Sequence, residues 1–156
     1  MSSSKFGLRG ALTVTVRNAR SQRVVFSQTI KNTITYDGML GVLRLLGQDG
    51  VTLSDFQVAS IRVGEGLTPP DREDVGLVAP VFTMGLTSSN RSISVSTREL
   101  VVSATLGVGD ANGRTLTEAA WFYANGTMGG RQLTVPIPKS SGITATYTWR
   151  LGVTGD

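Results

Sequence analysis

The stretch IRVGEGLTPPDREDVGL, residues 61–77, has the outline of a phosphate-binding loop: an alternating apolar lead (Ile61, Val63), two close glycines (Gly64, Gly66), then prolines and acids. Backbone amides in such a loop can cradle a phosphate when a helix follows. The details argue against that chemistry. A dinucleotide fingerprint needs a third glycine where Pro69 stands, and proline has no amide hydrogen to donate. Asp71, Glu73 and Asp74 follow and would repel phosphate. A P-loop ends in Gly-Lys, a pair this chain lacks. The same residues fit a turn. Gly64 and Gly66 end a strand, Thr68 caps, and Pro69 and Pro70 open a short helix whose N-terminus the acids favour.

Two other places could carry chemistry. LGVGDANGRT (106–115) offers Asp110 and Asn112 as oxygen ligands, but it stops short of a calcium loop and lacks the closing glutamate. A turn with Asn112 and Gly113 in left-handed conformations accounts for it. Glu118 lies in a strand beside Trp121–Tyr123, and a salt bridge to an arginine is the expectation there. A glycosidase would need a second, facing carboxylate. The chain has no histidine and no cysteine, which removes the commonest general base, thiolate metal sites and disulfides. No catalytic residue, cofactor or metal site is therefore expected, and the chain reads as a non-enzyme.

The elements that must position these residues are mostly strands. Charged residues make up only 17% of the 156, glycine reaches 19, and Thr, Ser and Val are abundant, which favours strands and turns. Leu12, Val14 and Val16 alternate with Thr13, Thr15 and Arg17, and Arg23–Ile30 reads as the return strand of a hairpin. Further strands are expected at Gln57–Val63, Val78–Leu86, Arg91–Val95 with Ile93 and Val95 inward, Leu100–Leu106, Leu116–Ala124 and Arg131–Ile137. The parity change at Ser96–Glu99 demands a tight turn or bulge. The PIP ending of the Arg131 strand suits an edge or a strand exit. The clearest strand is the last: Ile143, Ala145, Tyr147, Trp149, Leu151 and Val153 alternate with small or polar residues, which no helix face can match. It should be central or near-central in its sheet.

DGMLGVLRLLGQDG instead has Met39, Val42, Leu43 and Leu46 at helical spacing. The spacing predicts one short helix over about 38–47, with Asp37 as N-cap, Gly47 as C-cap and that stripe packed on the core, or else on a neighbouring subunit. The expected fold is mainly β, an antiparallel β-sandwich with one short α-helix and an N-terminal β-hairpin. It forms a single domain over 1–156, with 1–7 mobile and 8–30 a basic hairpin. No apolar run is long enough for a transmembrane helix, and MSSSKFGLRG lacks the apolar core of a signal peptide.

Net charge is +4. Lys5, Arg9, Arg17, Arg20, Arg23 and Lys31 precede the first acid, Asp37. Such a cluster is either a solvated face or a surface for an acidic protein. Nucleic acid fits less well, because no aromatics interleave with these charges.

Three stretches together resemble those of small bacteriophage virion proteins of the tail, collar and fibre kind. KNTITYDGMLGVLRLL resembles a "K-N-x-[IV]-T-x-x-G" entry to an apolar helix. IRVGEGLTPPDREDVGL and SATLGVGDANGRTLTEAAWFYA are similar to two further stretches of that group. The resemblance spans about Ile30 to Val153. It implies a β-rich, oligomeric, non-enzymatic subunit, assembled in the host cytoplasm and located in the virion at the tail, collar, neck or baseplate. Its partners would be other virion proteins and copies of itself. Arg17, Arg20, Arg23 and Lys31, with exposed Phe82 and Met84, are the candidate docking residues. A capsid decoration protein and a carbohydrate- or receptor-binding module at a fibre tip are the alternatives, the latter using Trp121 or Trp149.

Overall fold

A computed structural model describes residues 6–47 and 52–155. Its strands are β1 (Phe6–Asn18), β2 (Val24–Lys31), β3 (Thr33–Ile34), β4 (Val58–Gly64), β5 (Pro80–Gly85), β6 (Arg91–Ser94), β7 (Glu99–Leu106), β8 (Thr115–Tyr123), β9 (Met128–Pro138) and β10 (Ile143–Gly155). Helix α1 (Tyr36–Gly47) follows β3, and short 3-10 turns occupy Leu53–Phe56 and Ser88–Asn90. Two five-stranded sheets result, ordered β2-β1-β10-β7-β6 and β3-β9-β8-β4-β5, and every strand pairing is antiparallel. The expected β-sandwich with one short helix is the observed fold. Most of the 1–7 leader lies outside the described residues, but Phe6 and Gly7 already pair with Gly155 and Thr154.

The period-2 patterns set which face each strand buries. Leu12, Val14 and Val16 of β1 face the opposite sheet with Ala145, Tyr147 and Trp149 of β10, which is central as its pattern requires. From the second sheet come Ile61, Val63, Ala119, Trp121 and Tyr123. Tyr123 meets Phe56 and Trp121 edge-to-face, at ring centroid distances of 5.1 and 5.2 Å. β8 is buried on both faces, so its run TLTEAAWFY shows no alternation.

Several local expectations are corrected. Thr35, not Asp37, caps α1: its hydroxyl accepts from Gly38 N at 3.0 Å and donates to Met128 O at 2.8 Å. The buried face of α1 is Gly38 and Gly41, with Val42 and Leu45 partly covered, while Leu43 and Leu46 are exposed. A Cβ on Gly38 would strike the Gly129 backbone, and one on Gly41 would strike the Tyr123 and Phe56 rings. The helix is drawn close to the second sheet, and hydrophobic spacing cannot report a contact made by glycine. Ile93 sits on the same face as its partner Leu100, yet it is 76% exposed because β6 is an edge strand with little opposite it. Val95 lies in the turn at 95–98, where Arg98 adopts φ 55°, and is also exposed.

Two buried tyrosines make stability depend on alkaline pH. Burial raises Tyr123 from 10.0 to about 12 and also pushes Tyr147 up. The unfolded chain releases these protons near pH 10 while the folded chain retains them, so the stabilisation is complete below pH 10 and is lost as pH rises toward 12. Urea titrations at pH 8 to 11.5 should show stability falling above about pH 10. The Tyr147 hydroxyl has no partner among the described residues. Tyr147→Phe should therefore raise stability at neutral pH by about 1 kcal/mol and flatten the alkaline fall. An unchanged alkaline fall in that variant would contradict the assignment.

Candidate functional site

The glycine loop of residues 65–79 directs the amides of Gly66, Val78 and Ala79 inward, to a carboxylate of the protein. It folds across the outer face of the second sheet, over Glu118 of β8 and Arg131 of β9. Glu118 is fully buried and Arg131 has a side-chain exposure of 1%. One Glu118 oxygen, Oε1, accepts from the Gly66 and Ala79 amides at 3.1 and 2.8 Å. The other, Oε2, accepts from Val78 N at 3.2 Å and Arg131 Nε at 2.9 Å. The anion cradled by this loop is thus a carboxylate of the protein itself. A Cβ on Gly64 would come within 2.6 Å of Glu118 Oε1, which explains a glycine there without any nucleotide.

Arg131 ties down the rest of the loop. Its Nη2 donates to Thr68 O at 2.7 Å, and its Nη1 donates to Asp74 Oδ2 at 2.8 Å and Pro69 O at 3.4 Å. This also explains why the expected helix after Pro69 and Pro70 does not form. In a helix the carbonyls of Thr68 and Pro69 would accept from amides four residues on; here they face a guanidinium. The loop instead turns at Arg72–Glu73, where Asp71 Oδ1 accepts from Glu73 N. Its other flank is held by Glu65, which accepts from Arg114 Nη1 at 3.2 Å and Thr115 N at 3.1 Å.

The second glycine-rich loop behaves alike. Asp110 accepts from Gly107 N, and Asn112 Oδ1 accepts from the Lys139 ammonium at 3.1 Å. An internal lysine thus stands among the oxygens that a calcium ion would have used. Burial lowers the pKa of Lys139, with Asp110 opposing. The left-handed residues are Ala111 (φ 51°) and Gly113 (φ 79°), not Asn112. Among the described residues, no group of three or more His, Cys, Asp or Glu could hold a metal ion.

The sequence-derived docking residues scatter. Met84 is only 6% exposed and belongs to the core, so it offers no surface anchor. It pairs with Ile61, whose face points inward. Phe82 is half-buried and packs on the core. Trp121 and Trp149 are buried, leaving neither a ring face for a sugar. Arg20 and Arg23 stand exposed at the β1–β2 turn, and Arg17 donates to Gln22 O across it. Lys31 lies at the far end of β2, where a different cluster forms.

That cluster surrounds a cleft of about 540 Å³ bounded by Arg9, Lys31, Asn32, Arg72, Glu99 and Arg150 together with apolar neighbours. Strand register assembles it. Ala11 pairs with Lys31 on one side and Arg150 on the other, so those two cations share a face. Two residues along, Arg9 lies across Gly152 and comes within 3.7 Å of Glu99, with Arg150 3.9 Å from the same carboxylate. Arg72 arrives on the pinned loop, whose carbonyl at that residue accepts from Tyr36 N at 2.9 Å. Sequence reading missed Arg72, Arg150 and Glu99, because only strand register and the loop's path bring them to Lys31. A neighbouring apolar pocket of about 270 Å³ shares the walls Leu8 and Ile34.

Removing one partner of the buried pair should be severe. Arg131→Met leaves Glu118 buried and unpaired, and should cost about 3–5 kcal/mol in urea unfolding. The double variant Glu118→Leu with Arg131→Met should recover part of that loss, because no lone charge remains. A single-variant cost near zero would show that the pair does not hold the loop.

No protein-family model, no curated protein and no solved structure matches the chain.

Proposed function

We propose that the chain is a non-enzymatic structural subunit of a bacteriophage virion, in the tail, collar, neck or baseplate, where it docks onto other virion proteins and onto copies of itself. One observation supports this best. The three stretches that carry the resemblance to phage proteins fold onto one another. Tyr123 of the third donates to Gly38 O of the first at 2.7 Å. Glu118 and Thr117 of the third hold the amide and carbonyl of Gly66 in the second, at 3.1 and 2.7 Å. Their glycines, acids and aromatics, which in isolation look like site chemistry, serve packing.

The surface fits a protein built for contact. Edge strand β2 leaves one backbone side without a strand partner and exposes Val24 and Val25, and edge strand β6 exposes Ile93. Leu43 and Leu46 of α1 are exposed as well. Apolar groups at edges and on a helix face are where neighbouring subunits add on.

Gold-labelled antibody against the chain, imaged on purified particles, tests the proposal. Label on the tail, neck or baseplate is the expected result. Label on the capsid shell would move the protein to a decoration role, and absence from particles would overturn the virion assignment.

A further inference from the structure

We propose that the cleft between Arg9, Lys31, Arg72 and Arg150 is the docking site for an acidic segment of a partner protein, whose carboxylates these cations hold. This deepens the structural-subunit proposal by naming the docking surface, and rests on it for the partner being another protein.

Four cations are committed within the fold: Arg131 and Lys139 are buried and hydrogen-bonded, Arg91 donates to Val58 O, and Arg114 binds Glu65. By contrast, the side chains of Arg9, Lys31, Arg72 and Arg150 donate no hydrogen bond among the described residues, although all four line one cleft. Glu99 is the one acid in that lining; it forms ion pairs with both Arg9 and Arg150, at 3.7 and 3.9 Å, too long for hydrogen bonds, so one carboxylate is shared by two guanidinium groups and the cleft keeps an excess of positive charge. The side chains of Arg9 and Arg150 remain 57% and 49% exposed, so their donors can reach an incoming carboxylate.

The floor adds a second unmet demand. Both polar atoms of the Asn32 carboxamide are covered, and neither has a hydrogen-bond partner among the described residues. An uncompensated buried amide is costly, so a ligand whose arrival turns the carboxamide into the cleft and pairs it gains affinity.

The chemistry of the walls selects the occupant. A second copy of this chain is basic overall, and its matching cleft would bring like charges together. A nucleic-acid strand would find no aromatic side chain in the lining on which to stack. A polypeptide rich in Asp and Glu offers carboxylates for the guanidinium groups, amides for Glu99, and aliphatic stems for the apolar walls Leu8, Ile34 and Met39.

The test is fluorescence anisotropy on the purified full chain at low salt, with labelled hexaglutamate as probe. Hexaglutamine and a single-stranded hexanucleotide serve as comparisons. Hexaglutamate should bind and hexaglutamine should not. Arg9→Gln with Arg150→Gln should weaken hexaglutamate binding by about tenfold or more, whereas Arg20→Gln with Arg23→Gln at the hairpin turn should stay within about twofold. Arg72→Gln alone, on a loop outside the β1–β10 register, should weaken binding in the same direction. Circular dichroism melts identify any variant that has lost its fold. No binding of hexaglutamate, equal loss in the cleft and turn variants, or tighter binding of the hexanucleotide would each overturn the proposal. Binding is read without particles, so it can fail while particle labelling succeeds, and the reverse.

Discussion

A buried arginine and a buried glutamate on the outer face of one sheet set the form of this molecule. Arg131 and Glu118 have almost no access to water, and neither charge could remain there without the other and without further partners. The loop at 65–79 supplies those partners: three amides for the carboxylate, two carbonyls and Asp74 for the guanidinium. Pair and loop therefore need each other. The loop has no regular structure of its own to satisfy its backbone, and the pair has no water. Leu77 of the loop also covers Ala120, Phe122 and Met128, so the same segment closes a small second core.

The consequences reach the surface. Because Arg131 holds the loop at Thr68, Pro69 and Asp74, Arg72 is carried to the start of α1 and to the edge of the basic cleft. Because Glu118 occupies the amides of Gly66, Val78 and Ala79, those three are not available to an outside anion. Internal satisfaction of charge at the Glu118–Arg131 pair and an excess of positive charge around Glu99 distinguish these two regions of the molecule.

Much of the fold was legible from periodicity. β10 reads as a central strand because Ala145, Tyr147 and Trp149 alternate with threonines, and it is central. The sandwich, the hairpin and the single helix follow from similar counting. The salt bridge of Glu118 to an arginine was also legible, since a carboxylate within an apolar strand needs a cation. What the pattern hid had physical reasons. Glycine carries no hydrophobic signal, so the α1 face made by Gly38 and Gly41 was assigned to Leu43 and Leu46 instead. Edge position exposed Ile93 despite its inward parity, and pairing with Ile61 buried Met84 despite its place on an edge strand. The cleft was illegible for a different reason: Arg9, Lys31, Arg72 and Arg150 come from four separate segments, and only the pairings at Ala11 and the loop's course unite them.

The central claim is that the glycine loop is a structural part of the sandwich, locked by the buried pair, rather than a mobile ligand loop. Native-state hydrogen exchange at the amides of Gly66, Val78 and Ala79 tests it most directly, because these amides donate to Glu118. The account predicts that they exchange only through global unfolding, with protection matching that of β8 and β10. Rapid exchange at these three amides, while the core strands stay protected, would contradict it.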